Sequence, residues 1–116
     1  MTDFIWHNPR CSKSRQTLEL LRESGMDVEV VEYLKVPPSA TAIMAAAEGL
    51  GCPVTDLIRS KEALFKELGL SLADERSEME WAELLHQHPK LIERPVVCIK
   101  GRYAMGRPPE NVLELL

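Results

Sequence analysis

A short apolar run, Phe4-Ile5-Trp6, is followed by a helical pattern and then by a second run, Val28 to Tyr33. Strand, helix and strand within about 30 residues form a βαβ unit, and such a crossover obliges the two strands to lie parallel. The first strand is expected over 3–7. Asn8-Pro9 ends it, because the residue before a proline is pushed out of the helical region. Ser12 or Ser14 is expected to cap the helix, Leu18 and Leu21 to form its inner face, and Gly25 to stop it. Cys11 therefore falls where a strand end becomes a helix start. Unpaired amides and the positive end of the helix dipole favour an anion there, and a thiol in that place ionises readily.

The remaining pattern completes a sheet. Pro95 to Ile99 reads as a third strand, Lys100-Gly101 as a tight turn and Arg102 to Met105 as a fourth strand. Between strands two and three, residues 38–88 read as a helical insert. It carries a Ser39 cap with Ile43, Met44, Ala47 and Leu50 at helical spacing, short pieces around Leu57-Ile58 and Glu62–Leu68, and a capping box at Ser77-Glu78-Met79-Glu80 ahead of Trp81, Leu84 and Leu85. Arg107-Pro108-Pro109-Glu110 opens a last helix with Val112, Leu113 and Leu116 as its apolar face. The expected architecture is a single α/β domain over 1–116, a thioredoxin-like sandwich on a four-stranded mixed sheet. In such a fold the proline opening strand three is often cis.

Charge narrows the function. The chain carries 14 basic and 18 acidic residues, a net charge of −4. Yet residues 4–18 hold Arg10, Lys13 and Arg15 with no acid, and residues 94–109 hold Arg94, Lys100, Arg102 and Arg107 with no acid. Two basic islands in an acidic chain point to a local anion site. A nucleic-acid surface would want a basic domain or a long basic stripe. Met1-Thr2-Asp3 has no basic leader character, and no stretch approaches the roughly 20 apolar residues of a membrane span. Three widely spaced cysteines, Cys11, Cys52 and Cys98, fit a reducing cytoplasm and neither a disulfide scaffold nor structural zinc. Cys98 belongs to an apolar strand and reads as core, as do Trp6 and Trp81. Cys52 follows Gly51 in a loop, with no spacing that supports a resolving role. His86 and His88 close a helix without further ligands near them, so no metal is expected.

The run His7-Asn8-Pro9-Arg10-Cys11-Ser12-Lys13-Ser14-Arg15, with Glu93-Arg94-Pro95 and Gly106-Arg107-Pro108 downstream, resembles the glutathione- and glutaredoxin-linked arsenate reductases over essentially the whole chain. The resemblance implies Cys11 as nucleophile, His7 beside it as a catalytic residue tuning the thiolate, and Arg59, Arg94 and Arg107 as binders of arsenate. It further implies glutathione as co-substrate, glutaredoxin as partner, and neither a metal nor a tightly bound cofactor. The residues fit this chemistry in their own right. A tetrahedral oxyanion wants planar bidentate donors, and its charge must be neutralised before a thiolate can attack. Ser14 stands where dithiol relatives carry a second cysteine, which suits an external thiol. The chain also ends soon after its last helix, where characterised detoxifying members carry a longer tail. Two alternatives use the same fold: a glutathione-linked thiol oxidoreductase of another substrate, and a non-enzymatic RNA-polymerase-binding regulator, whose usual Cys-x-x-Cys switch Ser14 breaks.

Overall fold

The computed structural model describes residues 3–116; Met1 and Thr2, read above as part of a non-basic N-terminus, lie outside the described residues. The chain divides into two compact units, one built from the residues up to Val36 together with Arg94–Leu116, the other Pro37–Glu93.

The first unit holds the sheet. Its strands are β1 (Phe4–His7), β2 (Glu29–Glu32), β3 (Val96–Ile99) and β4 (Arg102–Met105), in the order β2-β1-β3-β4. β1 and β2 are parallel, with Ile5 opposite Val30 and His7 opposite Glu32. β3 runs antiparallel to β1, pairing Ile5 with Val97, and to β4, pairing Val97 with Ala104. The sheet is therefore mixed, as the βαβ reading followed by a hairpin requires. Helix α1 (Ser12–Glu23) and a terminal 3-10 helix, Pro109–Leu115, pack together with the sheet. The resulting core joins Ile5, Leu18, Leu21, Val97, Ile99, Ala104, Val112 and Leu115. Every residue of β3 is buried, Cys98 included. The β3–β4 turn places Lys100 at φ 51° and Gly101 at φ 77°. Both central residues of a two-residue hairpin of this hand need positive φ. The Lys100 amide donates to Asp3 Oδ1 at 2.9 Å, tying the turn to the start of β1.

The last helix differs from the reading above. It is a 3-10 helix, with bonds from the Asn111 amide to the Pro108 carbonyl and from the Leu116 amide to the Leu113 carbonyl. Three residues per turn put Val112 and Leu115 on one face. Those two are buried, while Leu113 and Leu116, chosen on a 3.6-residue period, are exposed. The Arg94–Pro95 bond is cis, and so is Arg107–Pro108.

The second unit is helical: α2 (Ala40–Leu50), α3 (Ala63–Glu67) and α4 (Glu78–Gln87), with 3-10 turns at Val54–Leu57 and Pro89–Leu91. Ser39 caps α2 through the Ala42 amide. At α4 the reciprocal box is complete: the Glu80 amide donates to Ser77 Oγ and the Ser77 amide to Glu80 Oε1, at 3.1 and 3.0 Å. Two orphan donors of the helix start are satisfied at once. Ile43, Ala46 and Ala47 of α2 and Trp81, Ala82 and Leu85 of α4 are buried; Leu84, expected on that face, is half-buried. No helix among the described residues is long and apolar enough to cross a membrane.

Candidate active site

The site begins with a turn. The Cys11 amide donates to the Asn8 carbonyl at 3.0 Å, closing Asn8-Pro9-Arg10-Cys11 with proline at the second position, where its fixed φ suits a turn. Asn8 Oδ1 accepts from the Arg10 amide at 3.0 Å. Arg15 Nη1 donates to the Pro9 carbonyl at 2.9 Å. These bonds give the Asn-Pro-x-Cys run a physical meaning: it is a tight turn that delivers Cys11 to the N-cap of α1.

Cys11 is that N-cap residue, with φ −95° and ψ 120°. The expected serine cap is replaced by the cysteine itself. Ser12 lies exposed inside the first turn and Ser14 is fully buried. The Cys11 side chain accepts no capping hydrogen bond, and the Ser14 and Lys13 amides act on its sulfur by favouring its charged form. Burial raises the pKa of the thiol. The Ser14 amide, the charge of Arg94, a hydrogen bond from the Arg94 side chain and the Lys13 amide together outweigh it, and the net shift is downward. When it ionises, the sulfur takes the place of a capping oxygen, where amides and the helix dipole both favour negative charge. The cation that lowers the pKa is Arg94, brought from far along the chain, and not Arg10 or Arg15 beside the cysteine.

Arg107 joins them. Its Nη2 lies 3.8 Å from Cys11 Sγ, and its Nε donates to the Arg94 carbonyl at 2.7 Å. Asn111 Nδ2 donates to the Arg107 carbonyl at 3.0 Å, fixing the backbone from which that guanidinium extends. Cys11, Arg94 and Arg107 are therefore together in the first unit. Two guanidinium groups beside one sulfur can hold a tetrahedral oxyanion against a nucleophile.

Gly106 makes this approach possible. Its amide donates to the Pro95 carbonyl at 2.9 Å. A Cβ there would stand 2.6 Å from Pro95 Cγ and closer still to Thr17 Oγ1. Thr17 is itself fully buried, its hydroxyl donating to the Lys13 carbonyl at 2.7 Å. Gly106→Ala is expected to lose about 1–3 kcal/mol of stability through overpacking and to lower kcat/KM by displacing Arg107. Chemical denaturation and steady-state kinetics check this; an alanine variant matching wild type in both would contradict it.

His7 is buried at the end of β1, and its Nδ1 lies 2.7 Å from Ser14 Oγ. Burial lowers its pKa most, Glu32 opposes, and Arg22 and Arg15 lower it further, so the ring is neutral near pH 7. Arg59 belongs to the second unit. The Arg59 amide donates to the Leu91 carbonyl, the Glu93 amide donates to the Leu57 carbonyl, and Ile58 bridges Ile92. Its guanidinium is 3.0 Å from Glu62 and 3.9 Å from Glu93. Among the described residues no three His, Cys, Asp or Glu side chains gather as metal ligands. His86 Nδ1 instead meets the Pro38 carbonyl at 2.9 Å.

Sequence reasoning missed the role of Ser14, treating it as a cap. The signal was present: Ser14, Leu18 and Leu21 share one helical face, so a buried hydroxyl was due on the inner side of α1.

Comparison with known proteins places this geometry. The profile of the ArsC family matches residues 6–115. The Escherichia coli "Uncharacterized protein YfgD" is 47% identical, over 97% of this chain and 94% of that protein. An arsenate reductase of Neisseria meningitidis serogroup A is 42% identical, over 97% of this chain and 96% of its own length. The solved structure of an arsenate reductase from Vibrio cholerae superposes with a TM-score of 0.91 at 44% identity, covering 100% of this chain and 98% of that one.

Proposed function

This chain belongs to the ArsC family, and from that premise we propose that it reduces arsenate to arsenite through the Cys11 thiolate, with glutathione and glutaredoxin supplying the electrons. The observation that carries the reading is the meeting of one sulfur, biased toward its anion, with the guanidinium groups of Arg94 and Arg107. Neutralising arsenate's charge is the condition for an anionic nucleophile to reach arsenic. Arg59 is assigned to the same oxyanion on the family resemblance.

Arsenate is held by the arginines, and Cys11 forms a sulfur–arsenic bond as one oxygen leaves as water. The thiol of glutathione adds a second sulfur–arsenic bond, again with loss of water. A glutaredoxin thiolate then takes the glutathionyl sulfur as a mixed disulfide. The electron pair of the broken bond stays on arsenic and reduces it from As(V) to As(III). Hydrolysis of the Cys11–arsenic bond frees arsenite and restores the thiol. Glutathione is a co-substrate throughout, and a cytoplasmic setting supplies it.

The test is arsenite formation by the purified protein with arsenate, glutathione and glutaredoxin, each omitted in turn. Turnover that needs all three supports the proposal. No arsenite above the protein-free background, with a Cys11–glutathione mixed disulfide forming regardless of arsenate, would replace it with a general thiol oxidoreductase.

A further inference from the structure

Both parallel strands end in a hydrogen-bonded turn. β1 runs into Asn8–Cys11, closed by the Cys11 amide on the Asn8 carbonyl, and β2 into Glu32–Lys35, closed by the Lys35 amide on the Glu32 carbonyl at 2.9 Å. A recess of about 350 Å³ lies between these turns and is lined from both, with His7 among its lining residues. That volume falls within the roughly 300–1,000 Å³ of small-molecule sites, and the crevice beyond the carboxyl ends of parallel strands is where α/β sheets bind ligands. In the order β2-β1-β3-β4 the recess falls on the β2 side of the Cys11 turn, whereas Arg94 precedes β3 and Arg107 follows β4 on the other side. Its charges are mixed. Arg10 is exposed, and its guanidinium has no hydrogen bond or ion pair among the described residues. Asn8 gives Oδ1 to the Arg10 amide, which leaves its Nδ2 as an uncommitted donor among the described residues. Lys35 Nζ lies 3.6 Å from Glu32 Oε1 in a pair open to solvent, and such pairs hold little energy. Exposed Leu34 adds an apolar strip. A tetrahedral oxyanion would gain nothing from Glu32; a ligand carrying both signs of charge would.

We propose that this recess is the binding subsite for glutathione, in which the Glu32–Lys35 pair takes the amino-acid end, Glu32 its ammonium and Lys35 its carboxylate, while Arg10 takes the glycine carboxylate at the other end. Leu34 and Asn8 then flank the middle of the tripeptide, where its amides and its thiol lie. The thiol is delivered beside the Cys11 turn from the flank opposite Arg94 and Arg107, so glutathione need not displace the oxyanion to approach. Exchanging the loose Glu32–Lys35 contact for charge-assisted bonds to the ligand sacrifices little. The inference rests on the reading of glutathione as co-substrate of Cys11 and assigns it a site.

The probe is S-methylglutathione, which keeps both carboxylates and the ammonium but has no reactive thiol. Titrated against nitrogen-labelled protein, it is expected to shift the amide resonances of Asn8, Arg10, Glu32, Leu34 and Lys35. Arg10→Glu and Lys35→Glu, both at exposed positions, are each expected to weaken its binding about three- to tenfold. Lys66→Glu, the same change of charge on an exposed position of α3, is expected to leave the affinity at wild type. Sulfate at matched ionic strength, directed to Arg94 and Arg107, is expected not to displace the probe. Shifts confined to the surroundings of Arg94 and Arg107, displacement by sulfate, or wild-type affinity in both Arg10→Glu and Lys35→Glu would overturn the proposal. Arsenate turnover separates the subsite from the reading beneath it. Arsenite formation whose KM for glutathione is unmoved in Arg10→Glu and Lys35→Glu sinks the subsite alone. Probe binding that weakens as expected, with no arsenite from any variant or from wild type, leaves the subsite standing and sinks the arsenate reading.

Discussion

Cys11→Ser removes arsenite formation, with a loss of at least about 10⁴-fold in kcat, the scale seen when a nucleophile is deleted from an intact site. A serine hydroxyl in the same N-cap position stays protonated at neutral pH, so the amides of Ser14 and Lys13 and the Arg94 guanidinium have no anion to stabilise. The arginines assigned to the oxyanion in the proposed mechanism are untouched, so oxyanion binding is expected to survive while turnover does not. Cys52→Ser is the matching control. Burial raises the Cys52 pKa, and Asp56 and Glu78 raise it further, which disfavours its thiolate. Its substitution is expected to leave kcat within about twofold of wild type, as for a change away from the reacting atoms. Arsenite production by Cys11→Ser near the wild-type rate, or its loss in Cys52→Ser, would move the chemistry to another sulfur.

Arg94→Leu carries the second large effect, a fall of about 10²–10³-fold in kcat/KM for arsenate, the usual consequence of deleting one donor to a developing charge. Two losses combine in that number. Arg94 binds the oxyanion in the proposed mechanism, and it lowers the Cys11 pKa by charge and by hydrogen bond. The sign of the pH effect follows. A nearby cation favours the thiolate, so its removal raises the thiol pKa and moves the acidic limb of the rate profile to higher pH. Assayed at a pH above both limbs, the variant recovers the part of its loss that comes from ionisation and keeps the part that comes from binding. Arg94→Lys retains a charge but not the planar fork, and falls between wild type and Arg94→Leu. A rate profile for Arg94→Leu with an unmoved acidic limb would contradict the electrostatic role.

Much of this was legible in the residues, for reasons that are local. The βαβ pattern at Phe4–Glu32 and the hairpin at Lys100-Gly101 are set by short-range rules of period and turn chemistry, and they specify a mixed sheet. The capping box at Ser77 is a reciprocal pattern within four residues. Asn8-Pro9 carries the turn chemistry that ends β1 ahead of α1. What escaped were features set by packing. Pro109–Leu115 is a short 3-10 helix packed against α1 and β4, so the choice among Leu113, Leu115 and Leu116 was wrong by the difference between two helix types. The basic residues nearest Cys11 in sequence are not the ones that act on its sulfur. Arg10 and Arg15 are nearest in sequence, yet Arg15 turns to the Pro9 carbonyl while Arg94 reaches the sulfur. Ser14 was visible as a residue on the inner face of α1 but not as the partner of His7, because only the strand pairing that places β1 reveals where that ring ends.

The most direct measurement is the pH profile of Cys11 alkylation with and without sulfate as a non-reacting oxyanion. The account predicts a midpoint below that of an ordinary cysteine, which sulfate raises and slows by binding between the sulfur and the arginines, and which Arg94→Leu raises with sulfate no longer acting. A midpoint at the ordinary cysteine value, indifferent both to sulfate and to Arg94→Leu, would contradict it.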